Sequence, residues 1–141
     1  PDDIHTVLDA ARERPDSIVN AMCPIEHEAD FKSPMIPKVV ARPDGRLLYM
    51  SRAPIPSTKE QGFVRAMRQV CVMSFSKPAL DAFASCMEKT PLEAIEDLEV
   101  LRFLELGWDV HMVEVSSFSI AVDMPEDVAK VEKALDLAGK A

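Results

Sequence analysis

Asp123 is the residue with most to offer chemically. It ends an apolar run (Phe118, Ile120, Ala121, Val122) and precedes Pro125-Glu126-Asp127. Proline is tolerated in the first turn of a helix and acidic side chains there complement the helix dipole, so a helix starts at Pro125. A carboxylate between a strand and a helix stands where α/β folds place functional groups. Two roles suit it. It can cap the helix, or it can act as a hard oxygen ligand for Mg²⁺, an ion held by one or two carboxylates together with substrate phosphates.

Other candidates lie upstream. Glu93, Glu96, Glu99 and Arg102 form an i, i+3 row on one helical segment. Its second half (Val100, Leu101, Phe103, Leu104, Leu106) is apolar nearly all round, the mark of a buried helix. Glu99 and Arg102 there need partners, either each other or a polar ligand. Glu93 and Glu96 read as the solvated side. Arg52, in Tyr49-Met50-Ser51-Arg52, offers a planar guanidinium that can hold a carboxylate or phosphate in two-point fashion. His5, His27 and His111 are dispersed, and Ser116, Ser117 and Ser119 have no histidine at a telling spacing, which speaks against a hydrolase triad. Four glycines in all leave no Walker-type or dinucleotide loop. Cys23, Cys71 and Cys86 form neither a disulfide framework nor a zinc pattern, and Cys71 reads as a small buried hydrophobe.

The elements that must position these groups follow from punctuation and periodicity. Asp2 or Asp3 caps a helix to about Arg14, with Ile4, Val7, Leu8 and Ala11 on one face. Ser17–Cys23 reads as a strand and Glu26–Lys32 as a helical turn. Val39-Val40-Ala41 and Leu47-Leu48-Tyr49 flank Pro43-Asp44-Gly45, a β-hairpin with its turn chemistry in place. Ser51–Pro56 is too proline-rich for a central strand, and Ser57–Gln69 reads as a polar loop. Val70–Phe75 is a strand and Lys77–Met87 a helix. Thr90-Pro91-Leu92-Glu93 is a capping box that opens a helix running to Leu106, stopped by Gly107. Val110–Val115 and Ile120–Val122 read as strands. Pro125–Gly139 reads as a closing helix with Val128, Val131, Leu135 and Leu137 inward. The mixture is α/β.

With 141 residues the chain is long enough for one domain and a sizeable core. Apolar residues make up 48% and charged residues 28%, which is ordinary for a globular protein. The net charge of −8 argues against nucleic acid or anionic lipid as partner. Without an apolar stretch approaching about 18 residues, a membrane is not an expected partner either. The chain reads as cytoplasmic. It opens on Pro1 rather than Met, which suggests a processed chain or part of a longer one.

Three blocks carry a family resemblance. They are Lys38-Val39-Val40 with Gly45 to Pro56; Thr90-Pro91-Leu92-Glu93 through Glu96-Asp97-Leu98-Glu99-Val100-Leu101-Arg102; and Ile120-Ala121-Val122-Asp123-Met124-Pro125-Glu126-Asp127. In order and spacing, from about Ser17 onwards, the chain resembles the sugar-acid cytidylyltransferases, above all the 3-deoxy-manno-octulosonate (Kdo) cytidylyltransferases. The resemblance implies the C-terminal part of a three-layer, Rossmann-like nucleotide-diphospho-sugar transferase fold. Residues 1–141 would be a single region, with a mixed sheet and a hairpin excursion (about 38–75) serving a homodimer interface. It further implies an enzyme joining CTP to a 2-keto-3-deoxy sugar acid, with release of pyrophosphate, for cell-surface polysaccharide (lipopolysaccharide) synthesis. In such enzymes the anomeric hydroxyl attacks the α-phosphate while Mg²⁺ neutralises the developing charge.

Carried over residue by residue, Asp123 resembles the family's C-terminal metal-binding aspartate, and Glu99 the acid that contacts the sugar. Arg52 resembles the arginine near the sugar acid, and Lys59 more loosely a second cation. Two departures stand out. The family's nucleotide half, with its basic loop and Gly-Asp-Glu-Pro segment, is absent, so the chain would lack the CTP pocket and one metal ligand. The family's Lys-His-x-Gly-x-Tyr-x-Tyr-like strand is Arg68-Gln69-Val70-Cys71-Val72-Met73-Ser74-Phe75 here, with Gln69 in place of the histidine. A related keto-deoxy acid then replaces Kdo as the expected sugar. A noncatalytic binding or oligomerisation module, and a nucleotidyltransferase for another sugar or base, are the alternatives.

Overall fold

The computed structural model describes residues 2–117, 122 and 125–138. Five strands form one mixed sheet: β1 (Ile18–Pro24), β2 (Lys38–Ala41), β3 (Leu47–Ser51), β4 (Met67–Ser74) and β5 (Val110–Glu114), in the order β3-β2-β4-β1-β5. β1 and β5 run parallel, Ile18 opposite Val110 and Met22 opposite Glu114, and the other pairs are antiparallel. Among the described residues six helices accompany the sheet: α1 (Asp2–Glu13), α2 (Glu28–Lys32), α3 (Lys77–Ser85), α4 (Pro91–Glu96), α5 (Val100–Glu105) and α6 (Pro125–Ala138).

Strand β1 explains the layering. Its apolar run has no polar face because both faces are covered. Val19, Ala21 and Cys23 pack beneath α1 with Val7 and Val70. Ile18 and Met22 turn the other way, into the larger core with Met50, Leu101, Phe103 and Met112. The sheet therefore lies between α1 and the α3–α5 layer, the expected three-layer α/β arrangement.

The Pro-Asp-Gly hairpin forms as its residues dictate. Gly45 has φ +88°, and β2 pairs antiparallel with β3. The tip reaches β5, where the Gly45 carbonyl accepts the Met112 N–H at 2.7 Å. A Cβ at Gly45 would lie 2.7 Å from His111 Cε1 and 2.8 Å from the Met112 carbonyl oxygen. Glycine is needed there for room as well as for φ.

Five expectations need correction. The helix from Pro91 to Leu106 is two helices, broken at Asp97, which has φ 52° and ψ 51°. Leu98 and Val100, on either side of Glu99, are both buried in the core. Glu93, read as solvated, is buried. β4 begins at Met67 and takes the end of the supposed polar loop, because Lys38 and Val39 of β2 offer it a partner at Arg68 and Met67. Cys71 is exposed, since the β1–β4 register shifts between Asn20 and Ala21 and the strand bulges there; Cys23 is the buried thiol. On α6, Val128 and Leu135 are exposed rather than inward. The supposed strand Ile120–Val122, apart from Val122, lies outside the described residues, as does Asp123.

Candidate functional site

A pocket of about 640 Å³ opens at the C-terminal ends of the parallel pair, lined by Met22, Val39, Pro56, Arg65, Met67 and Glu114 among others. Ligands of open α/β sheets bind beyond the carboxyl ends of parallel strands, so this cleft stands where the topology expects one. Its walls are largely apolar, with Arg42, Arg65 and Glu114 supplying charge.

A polar node lies behind the wall carrying Val39. Lys38, at 0% exposure, donates from Nζ to three carbonyl oxygens, those of Ser33 (2.8 Å), Ile36 (2.6 Å) and Arg52 (2.6 Å). The Glu96 carboxylate accepts from the Ser51 hydroxyl at 2.6 Å, the Arg52 backbone N–H at 2.9 Å and the Tyr49 hydroxyl at 3.3 Å. Burial works to raise the Glu96 pKa, but the three donors and the nearby Arg52 charge outweigh it and hold the carboxyl below its ordinary value. Burial, followed by the Glu96 charge, pushes the Tyr49 phenol up. Burial pulls Lys38 down, against the Glu96 charge, which favours the ammonium.

Arg52 is woven into the same node. Its guanidinium donates to the carbonyls of Glu96 (2.6 Å), Asp97 (3.0 Å) and Pro34 (3.0 Å). Two of these are terminal carbonyls of α4, groups that a helix end leaves without partners. Arg52 thus closes the helix break that local rules do not foresee.

The other expected site residues separate into those near this node and those away from it. Gln69 donates its backbone N–H to the Pro37 carbonyl, next to Lys38, and its side-chain amide to Asn20 Oδ1 at 2.9 Å. Asn20, itself at 0% exposure, donates to the carbonyls of Val70 and Val72 and so holds the β4 bulge. Glu99 is the exposed N-cap residue of α5, two residues beyond the Asp97 carbonyl that Arg52 binds. Arg52 therefore reaches the segment that leads into Glu99, while the Gln69 side chain belongs to the strand network around Asn20. Lys59 sits in an exposed turn, with no hydrogen bond to any of them among the described residues.

Arg102 does find a partner, but it is Glu93 rather than Glu99. The pair is two-pronged, Nε to Oε2 at 2.5 Å and Nη2 to Oε1 at 2.7 Å, and the guanidinium lies 3.9 Å above the Phe83 ring centroid. Hydrogen bonding from Arg102 is the main cause that holds Glu93 below the ordinary carboxylate range. Glu93 also closes the capping box with Thr90.

The residues that sequence reasoning missed as a set are Lys38, Glu96 and Glu93. Lys38 carried one usable signal, a charge placed directly before an apolar strand. For the two glutamates, helical spacing pointed to the solvent side, and only the break at Asp97 reverses that. Among the described residues no three histidine, cysteine, aspartate or glutamate side chains gather as a metal-binding group. Among them, too, no helix is long and apolar enough to cross a membrane.

No family model matches the chain. It is similar to curated relatives named 3-deoxy-manno-octulosonate cytidylyltransferase. That of Acidobacterium capsulatum is 38% identical over 131 residues, 92% of this chain and 53% of the relative. That of Geobacter metallireducens is 40% identical over 117 residues, 75% of this chain and 46% of the relative. A solved structure of CMP:2-keto-3-deoxy-manno-octonic acid synthetase complexed with CTP superposes with a TM-score of 0.85 at 26% identity, covering 100% of this chain and 57% of that one. The chain spans about half the length of the curated relatives it matches. It is therefore related to the 3-deoxy-manno-octulosonate cytidylyltransferases over most of its own length and about half of theirs.

Proposed function

We propose that this relative of the 3-deoxy-manno-octulosonate cytidylyltransferases is the sugar-acid-handling part of a longer enzyme. That enzyme transfers CMP from CTP to a 2-keto-3-deoxy sugar acid and releases pyrophosphate, in the cytoplasm, for cell-surface polysaccharide synthesis. One observation carries the reading: 38% identity to a named cytidylyltransferase across 92% of the chain. The fold agreement with a CTP-bound synthetase supports it.

In this reading the Arg52 guanidinium, with five N–H donors of which three serve backbone carbonyls, turns its remaining two to the sugar-acid carboxylate. Glu99 and Gln69 contact the sugar, and Lys59 adds positive charge from its turn. Asp123 gives one carboxylate to Mg²⁺, and the part of the enzyme outside this chain gives the other ligands and the CTP pocket. Two copies associate through the hairpin region.

The test is turnover by the full-length gene product, with CTP, Mg²⁺ and a panel of 2-keto-3-deoxy sugar acids. Pyrophosphate release with at least one of them is expected, and silence with all of them would sink the proposal. The competing reading is a noncatalytic binding or oligomerisation module. It predicts a start codon directly upstream of the Pro1 codon and no pyrophosphate release.

A further inference from the structure

We propose that Lys38 is a positioning residue for Arg52, holding it ready to receive an anionic substrate; the proposal rests on the reading of Arg52 as a substrate contact. Lys38 opens β2 and has no exposed surface. Its three donated bonds, to Ser33, Ile36 and Arg52, require the ammonium form, because a neutral amine carries only two N–H groups. All three acceptors are backbone carbonyls, so Lys38 acts as a built-in cation around which separate stretches of chain are gathered.

What those stretches share is Arg52. Lys38 holds the Arg52 carbonyl while Glu96 holds the Arg52 N–H, so both polar backbone groups of this residue are gripped. That sets the direction in which the side chain leaves the backbone. At the far end, one of the three carbonyls that pin the guanidinium belongs to Pro34, inside the Ser33–Ile36 stretch whose ends Lys38 ties down. Lys38 therefore fixes the root of Arg52 and one of the supports at its tip. Removing the ammonium frees both while leaving the guanidinium chemically intact. An arginine released in this way must be re-ordered by each arriving substrate, and that cost appears as lost affinity.

A purely structural lysine predicts something different. Its loss lowers stability and leaves the substrate constants of the folded protein alone, or worsens them all equally. Lys38→Met in the full-length gene product, assayed well below its unfolding midpoint with far-ultraviolet circular dichroism as the fold check, separates the two. The expected result is a KM for the sugar acid raised about tenfold or more, with the KM for CTP within about twofold of the unmodified protein. Lys38→Gln, a milder loss of the same ammonium, should move the sugar-acid KM in the same direction by a smaller factor, and it decides the matter if Lys38→Met does not fold. An unchanged sugar-acid KM in the folded variant, or equal rises in both constants, overturns the proposal. If the unmodified protein releases no pyrophosphate, calorimetric affinity for the sugar acid supplies the same contrast. Failure of the catalytic reading and failure of the Lys38 role are thereby told apart.

Discussion

Glu93 and Arg102 show what burial does to a charged pair. Each is nearly inaccessible, and the glutamate also caps the helix it belongs to. Removing one partner leaves the other charge buried and unpaired, which is far costlier than replacing both. We expect Glu93→Ala to lower the urea midpoint more than the Glu93→Leu/Arg102→Met double variant does. The pair also has a pH signature. The folded pKa values of Glu93 and Glu96 lie below the ordinary 4.5, so the stability they contribute is fully present above that value and is lost as pH falls through the folded values. Acid unfolding followed by circular dichroism should be shallower below about pH 4.5 in Glu93→Gln, compared with the unmodified chain. Asn20 offers a neutral counterpart. Asn20→Ala leaves two strand carbonyls and the Gln69 amide unsatisfied at the bulge, and a loss of about 1–3 kcal/mol is expected in urea titration.

At the scale of elements, the hairpin is the feature most tightly constrained by a single position. Gly45 meets two demands, a positive φ and the closeness of His111 and Met112. Gly45→Ala should cost about 1–3 kcal/mol, read as a lowered thermal midpoint, because strain and overlap fall on the same atom. The hairpin was legible because proline and glycine act through their own backbones. The broken α4–α5 helix was not. The apolar residues from Leu98 to Leu106 fit one helix as well as two, and the break is stabilised by Arg52 from a distant strand. The Cys71 assignment failed for a related reason. The bulge skips Cys71 and Val72 in the register with β1, and it is held by Asn20, which is 52 residues from Val72 in sequence.

At the scale of the whole molecule, the proposed function places Asp123 among metal ligands that lie outside this chain. On that reading, Asp123→Asn in the full-length gene product should abolish Mg²⁺-dependent pyrophosphate release and leave the circular dichroism spectrum unchanged. Unfolding in place of inactivation would show the residue to be a cap, whose loss typically costs about 0.5–2 kcal/mol. The placement of the candidate residues is likewise a property of the assembled sheet. Arg52 sits just past β3, Gln69 on β4 and Glu99 at the head of α5, and no local rule fixes how those elements are arranged.

What the sequence determined by itself is the α/β class, the hairpin, the capping box, the strand at β1 and the collinear blocks that carry the resemblance. All of these are written in neighbouring residues, through periodicity, backbone chemistry and order along the chain. The tertiary structure alone decided that Arg102 pairs with Glu93, that Arg52 closes the end of α4, and that a fully buried lysine ties Arg52 in place. Those contacts join groups separated by 9, 44 and 14 residues. Whether such groups meet depends on how the intervening chain turns, which their types and spacing do not encode.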